Sequence, residues 1–187
     1  IFVYYAVAVV SSIMEDHETL PEFGIKRENE ERRDGGCAVI FNPATGLCGV
    51  GKRTSGGQIL LFGGGVSAEE DMQEGVLREV REESGLYDFK YTENIGAVET
   101  HYHNIAKNVD RVARATCFLV ILKSADLVPT QLEEHEQFTL VWMKAAEMRA
   151  WWASHNEGEN YSHWIYFMDK ALTRLAELGY DMTSEAQ

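Results

Sequence analysis

The sequence predicts one domain of the α/β (α+β) class, and three observations predict it. Apolar runs of strand length, such as "GCAVIF" (residues 36–41) and "DRVARATCFLVIL" (110–122), are punctuated by turn residues. Residues 72–84 carry both the start and the stop signals of a helix. Toward the C-terminus Trp164, Ile165, Met168, Leu172, Leu175 and Leu178 recur at helical spacing. At 187 residues and 45% hydrophobic content the chain has single-domain length and apolar content for a full core. Its expected parts are an N-terminal strand and charged connector (1–34), a core (35–179) and a frayed tail (180–187).

"IFVYYAVAVV" is too short to span a membrane and lacks the basic start of a signal peptide, so it reads as a buried strand. The chain begins with Ile1 rather than Met, which suggests an excised or processed piece. Residues 11–34 mix charges of both signs around Pro21 and Gly24 and read as a solvated, partly helical connector. Residues 36–41 and 47–53 form a hairpin about the turn "NPATG". "TSGGQ" then links into a strand at 59–62, and Gly63, Gly64 and Gly65 read as a loop where bare backbone can approach a ligand.

The helix at 72–84 has Asp71 as N-cap, Glu74 at capping-box spacing and Gly85 at the left-handed C-terminal position. Beyond it, 89–103 is extended and bent at Gly96, "NIAKNVD" is a hairpin loop, and 110–122 is an inner strand. An acidic loop (124–137) leads to a strand at 138–143, a short helix at 144–153 and a last helix at 161–178. The stripe of that last helix reads as core or dimer contact, and with the apolar N-terminal strand it is a candidate surface for a homodimer.

Glu79, Glu82 and Glu83 stand at i, i+3 and i+4, so their carboxylates share one helix face, while Val76, Leu77, Val80 and Ser84 face away. Three adjacent like charges need a cation in front of them, and hard, oxygen-seeking Mg²⁺ or Mn²⁺ suits that donor set. A net charge of −13 argues against non-specific nucleic-acid or anionic-membrane binding. It admits a nucleotide, because metal and a few arginines reverse the local field. Cys37, Cys48 and Cys117, odd in number and without ligand spacing, read as reduced core thiols of a cytoplasmic protein.

Gly64, Glu70, Arg78-Glu79-Val80, Glu82-Glu83 and Gly85-Leu86 match every defined position of the Nudix box. Seven fixed identities at those spacings arise by chance on the order of 10⁻⁸ per starting position. The chain therefore resembles the Nudix hydrolases. The resemblance implies an α/β/α sandwich with a central mixed β-sheet flanked by helices. It also implies hydrolysis of a small-molecule substrate, a nucleoside diphosphate linked to another group, with Mg²⁺ or Mn²⁺ as cofactor.

By the same resemblance, Glu82, Glu83 and the carbonyl of Gly63 hold metal, and Glu79 joins them or polarises water. Arg78 and Glu70 orient the carboxylates. A further glutamate from the loop before the Trp142 strand completes the site. Its candidates are Glu133, Glu134 and Glu136, of which Glu134 fits the pattern best, and a merely solvated loop is the alternative.

Arg53 resembles the phosphate-contacting basic residue of relatives, with a plain surface arginine as the other reading. His101 and His103 share one strand face, turned to substrate or solvent rather than forming a zinc site, with Tyr102 opposite. Arg111 and Arg114 lie on opposite faces, so at most one reaches a ligand. "RRDGGCAVIFNPATG" and "THYHNIAKNVDRVA" also look like Nudix modules inserted in some bacterial leucyl-tRNA synthetases. A binding or regulatory module within a larger enzyme is thus the alternative to a hydrolase.

Overall fold

The computed structural model describes residues 19–54, 56–104, 107–132, 138–157 and 160–180. The apolar run at residues 1–10 and residues 181–187 of the expected tail lie outside them. Among the described residues nine strands form one sheet: β1 (Glu22–Gly24), β2 (Glu31–Arg32), β3 (Gly35–Asn42), β4 (Leu47–Arg53), β5 (Ile59–Leu60), β6 (Phe62–Gly65), β7 (Phe89–Asn104), β8 (Val109–Leu122) and β9 (Phe138–Met143). The helices are α1 (Met72–Ser84), α2 (Ala145–Ser154) and α3 (Ser162–Glu177). The strand order is β1-β7-β8-β3-β4-β5, with β2 beside β8, β6 beside β3 and β9 beside β4. The sheet is mixed, because β3 and β8 run parallel while β7–β8 and β3–β4 are antiparallel.

β3 and β8, the latter continuously apolar from Cys117 to Leu122, sit at the centre, where both faces are covered. On one face Val39, Phe41 and Ile121 pack with Met148 and Trp152 of α2 and Phe167, Met168 and Leu175 of α3. On the other, Ala38, Ile40 and Val120 pack with Val76 and Val80 of α1. This is the expected sandwich, and the stripe of α3 is used inside the chain. Trp152 is fully buried and its indole Nε1 donates to the carbonyl of Ile59 at 3.1 Å, tying α2 to β5. All three cysteines are free and buried. Among the described residues no helix is long and apolar enough to cross a membrane.

Two expectations are corrected. Over its described part, residues 19–34, the connector is extended rather than helical, since β1 pairs in parallel with β7, and β2 with β8, while residues 11–18 lie outside the described residues. The three glycines belong to strand β6 rather than a loop: Gly63, Gly64 and Gly65 pair with Cys37, Gly36 and Gly35 of β3. Glycine opposite glycine lets the two backbones close up. A side chain at Gly63, whose φ is 152°, would stand 2.1 Å from the carbonyl oxygen of Gly36.

Candidate active site

Helix α1 begins where Asp71 accepts from the N–H groups of Gln73 (3.0 Å) and Glu74 (3.1 Å), and ends at Gly85 with φ 78°. A side chain at Gly85 would meet the carbonyl oxygen of Val128 at 2.4 Å. With Val76 and Val80 buried against the sheet, the carboxylates of Glu79 and Glu83 come up against β6. Glu83 is only 8% exposed and its Oε2 accepts from Gly63 N–H at 2.9 Å. The carboxyl group of Glu79 lies on the backbone of Gly64, where an added Cβ would come within 2.7 Å of its Cδ.

Arg78 holds this acidic group together. Its Nε and Nη2 donate to the two oxygens of Glu70 at 2.9 and 3.1 Å. Its Nη1 donates to Glu79 Oε1 at 2.9 Å and Glu82 Oε2 at 3.0 Å. The Arg78 hydrogen bond and charge keep the Glu70 carboxyl below its ordinary pKa, and Glu70, Glu79 and Glu82 raise that of Arg78.

The donor chemistry fits a hard divalent ion, with three carboxylates and a backbone carbonyl and no soft ligand. Among the described residues, no three acidic, His or Cys side chains converge closely enough to hold an ion as they stand. Arg78 draws Glu79 and Glu82 toward itself, while Gly63 N–H holds Glu83.

Two cavities, of about 470 and 590 Å³, meet in front of Gly63, and both are lined by Gly63, Gln58, Tyr102, His103 and Trp164. The first continues past Gly64 to Arg33, Arg111, Tyr161 and His163. The second continues past Glu83 to Arg53, Lys107 and Phe138. The Nε atoms of Arg53 and Arg111 and Nδ1 of His163 are buried without a hydrogen-bond partner. Burial pushes the His163 pKa down to about 4, so its ring is neutral near pH 7.

Of the expected site residues, the structure brings Gly63, Glu83, Arg53, His103 and Arg111 to the cavity walls, and Glu79 directly behind Gly64. Glu82 and Arg78 stand behind them on α1. Glu133, Glu134 and Glu136 lie outside the described residues.

His101 is not brought to either cavity. It is 3% exposed, and its Nδ1 and Nε2 lie 2.7 Å from Glu30 and 2.9 Å from Glu22. It therefore clasps the connector to the sheet. His103 pairs with Asp110 at 2.8 Å while lining both cavities.

Tyr102, turned the other way from His101, is the cavity residue that sequence reasoning passed over, together with Arg33, Lys107, Tyr161, His163 and Trp164. A signal for it existed. The β7–β8 hairpin sets Tyr102 opposite Arg111, and cross-strand partners share a face.

The family model for the NUDIX domain matches residues 31–164. No curated protein matches the chain. An Ap4A hydrolase of C. elegans, solved as a binary complex, is 15% identical with a TM-score of 0.55, covering 78% of this chain and 98% of that one. The E. coli ORF135 protein is 19% identical with a TM-score of 0.49, covering 82% and 97%. MutT from Aliivibrio salmonicida and Vibrio cholerae is 20% identical with a TM-score of 0.43, covering 63% and 83%. The C. elegans likeness bears on the fold alone, and the fold it indicates is the sandwich described above.

Proposed function

Because the chain belongs to the NUDIX family and is a Nudix-type pyrophosphohydrolase, we propose that it uses Mg²⁺ or Mn²⁺ to hydrolyse a diphosphate linkage in a nucleoside diphosphate joined to another group, with water attacking phosphorus. One observation carries this reading. Carboxylates of a single helix are packed against glycine backbone where two cavities meet, and each cavity has a buried arginine Nε without a partner.

Hydrolysis of a diphosphate is slow because anionic oxygens repel the nucleophile and the leaving phosphate must carry charge. When bound, a divalent ion supplies Lewis-acid stabilisation of that charge and a more acidic water. Glu82, Glu83 and the carbonyl of Gly63 are the groups to hold it. Glu79, set beside the Gly63–Gly64 backbone, takes the proton from the attacking water, a role that Glu134 shares if its loop reaches the site. Arg78 fixes the directions of Glu70, Glu79 and Glu82. Arg53, Arg111 and His103 face the phosphates. Three free, buried thiols support a reducing, cytoplasmic setting.

Release of phosphate or nucleoside monophosphate across a broad nucleotide panel, with and without Mg²⁺, tests the proposal. Metal-dependent release from at least one nucleotide is expected. Activity nowhere on the panel, with tight metal-independent binding of a protein partner, would favour the binding-module alternative.

A further inference from the structure

The alternation that sends Val39 and Phe41 to the α2–α3 face of the sheet sends Cys37 there as well, and Leu119 and Ile121 bring Cys117 with them. Because β3 and β8 run parallel and in register, the two cysteines stand directly opposite each other. Neighbouring strands lie about 4.8 Å apart, inside the roughly 4.4–6.8 Å that a disulfide spans between Cα atoms. Their side chains are in hydrogen-bond contact. Cys117 is fully buried, whereas Cys37 is 8% exposed and lines the first cavity. From this juxtaposition we propose that Cys37 and Cys117 are an oxidation site, a dithiol that a peroxide converts to a disulfide and a thiol reductant restores, with turnover lost in the oxidised form.

Cys37 is the point of entry, since it meets the cavity. The peroxide O–O bond breaks as one oxygen passes to the Cys37 sulfur, leaving a sulfenic acid and one water. The Cys117 sulfur then attacks that sulfur, an S–S bond forms, the S–O bond breaks, and the hydroxyl leaves as a second water with the Cys117 proton. Two thiols lose two electrons and two hydrogens, and the peroxide is reduced to two waters. Burial and the neighbouring Cys37 push the Cys117 thiol well up, so it is a poor first nucleophile and acts second, at contact distance. Cys48 stands between Phe41 and Met143 in the sheet, with its thiol pushed up to about 12 by burial, and stays reduced.

Lack of slack around Cys37 links the pair to turnover. Its backbone pairs with Gly63, and a Cβ at Gly63 would stand 2.6 Å from the Cα of Cys37. A disulfide draws its Cβ atoms to about 3.8 Å, closer than the strand spacing. The bridge therefore pulls β3 toward β8 and away from β6, where Gly63 N–H holds Glu83. A bond strained in this way is of the readily reduced kind, as a reversible switch requires. The effect on turnover rests on the proposed function; formation of the bridge does not.

The test treats the full chain with hydrogen peroxide and then with dithiothreitol, following intact mass, the amide resonance of Gly63 and turnover of the best nucleotide on the panel. Expected are the loss of two hydrogens, a cross-linked Cys37–Cys117 peptide, a shifted Gly63 resonance and turnover lowered at least ~10-fold, all reversed by dithiothreitol. Cys117→Ala should keep the turnover of the reduced chain and stop at a sulfenic acid on Cys37, which dimedone traps. Peptide mapping of the wild-type chain decides the pairing even where that variant folds poorly. Thiols left intact by peroxide, a bridge to Cys48, or a Cys37–Cys117 bridge that leaves the Gly63 resonance and turnover unchanged overturns the proposal. A reversible bridge that shifts the Gly63 resonance in a chain that hydrolyses no nucleotide supports the oxidation site while removing the hydrolase reading.

Discussion

Substituting Gly64 by Ala tests whether the placement of Glu79 matters to turnover independently of the fold. The new methyl would lie 2.7 Å from Glu79 Cδ and 2.8 Å from its Oε2, whereas ordinary contact begins at 3.4 Å. The carboxyl group must therefore retreat by about 0.7 Å or more. Only the end of a flexible side chain has to move, and Gly64 does not have a positive φ. Stability should accordingly fall by less than about 1 kcal/mol. Catalysis is less forgiving, since a misplacement near 1 Å costs on the order of 10²-fold, about 2.7 kcal/mol of transition-state stabilisation.

The assay is kcat/KM at saturating Mg²⁺ beside urea denaturation of the same preparation. Gly63→Ala serves as the contrast, because its Cβ would meet the carbonyl of Gly36 at 2.1 Å and its φ of 152° disfavours a side chain, so that variant should lose stability outright. Wild-type kcat/KM in Gly64→Ala would refute the claim that Glu79 works from its seat on the backbone. Unfolding of Gly64→Ala would refute the claim that the site is adjusted without cost to the fold.

Glu83→Gln keeps an oxygen to accept from Gly63 N–H but loses the charge, so turnover should drop at least ~10²-fold with an unchanged circular dichroism spectrum, and Glu82→Gln should behave alike. His163 has a folded pKa of about 4 against an ordinary 6.5, so its contribution is complete above pH 6.5 and is lost as pH falls toward 4. Its full loss is roughly 3 kcal/mol, and His163→Gln should flatten the difference between denaturation curves at pH 7 and pH 4.5. Replacing His101 by Ala removes a partner of the Glu30 carboxylate, which is 7% exposed and keeps the Arg27 N–H, and should destabilise by about 1–3 kcal/mol, less than breaking a fully buried pair because Arg27 still donates to Glu30 and Glu22 is half exposed. Burial raises the Glu30 pKa, but the Arg27 N–H and His101 more than offset it. The net shift is downward, so that part of the clasp's stability is present above about pH 4.5 and disappears below it.

Local chemistry was legible and long-range register was not. Asp71 and Gly85 mark the ends of α1 because a cap is decided by one or two residues and their own backbone, and the observed helix has the expected bounds. Strand β9 and the β3–β4 hairpin were equally readable from apolar runs between turn residues. The connector misled because β1 and β2 are two or three residues long and charged. They are strands only by pairing with β7 and β8, and His101 reaches Glu22 of β1 and Glu30, just before β2, across 79 and 71 positions. Alternation along β7 separated His101 from Tyr102, but which side faces the groove depends on where α3 and the connector lie. Trp164 and His163 sit in the first turn of α3, where a stripe that is core further along comes out at the cavity wall.

The fork of Arg78 has a consequence for the charge balance of the acidic helix. The chain carries a built-in counter-charge that already neutralises much of the repulsion among Glu70, Glu79 and Glu82. The divalent cation of the proposed mechanism would therefore compete with a resident guanidinium for these carboxylates. Chelation should then silence turnover while leaving the melting temperature almost where it was.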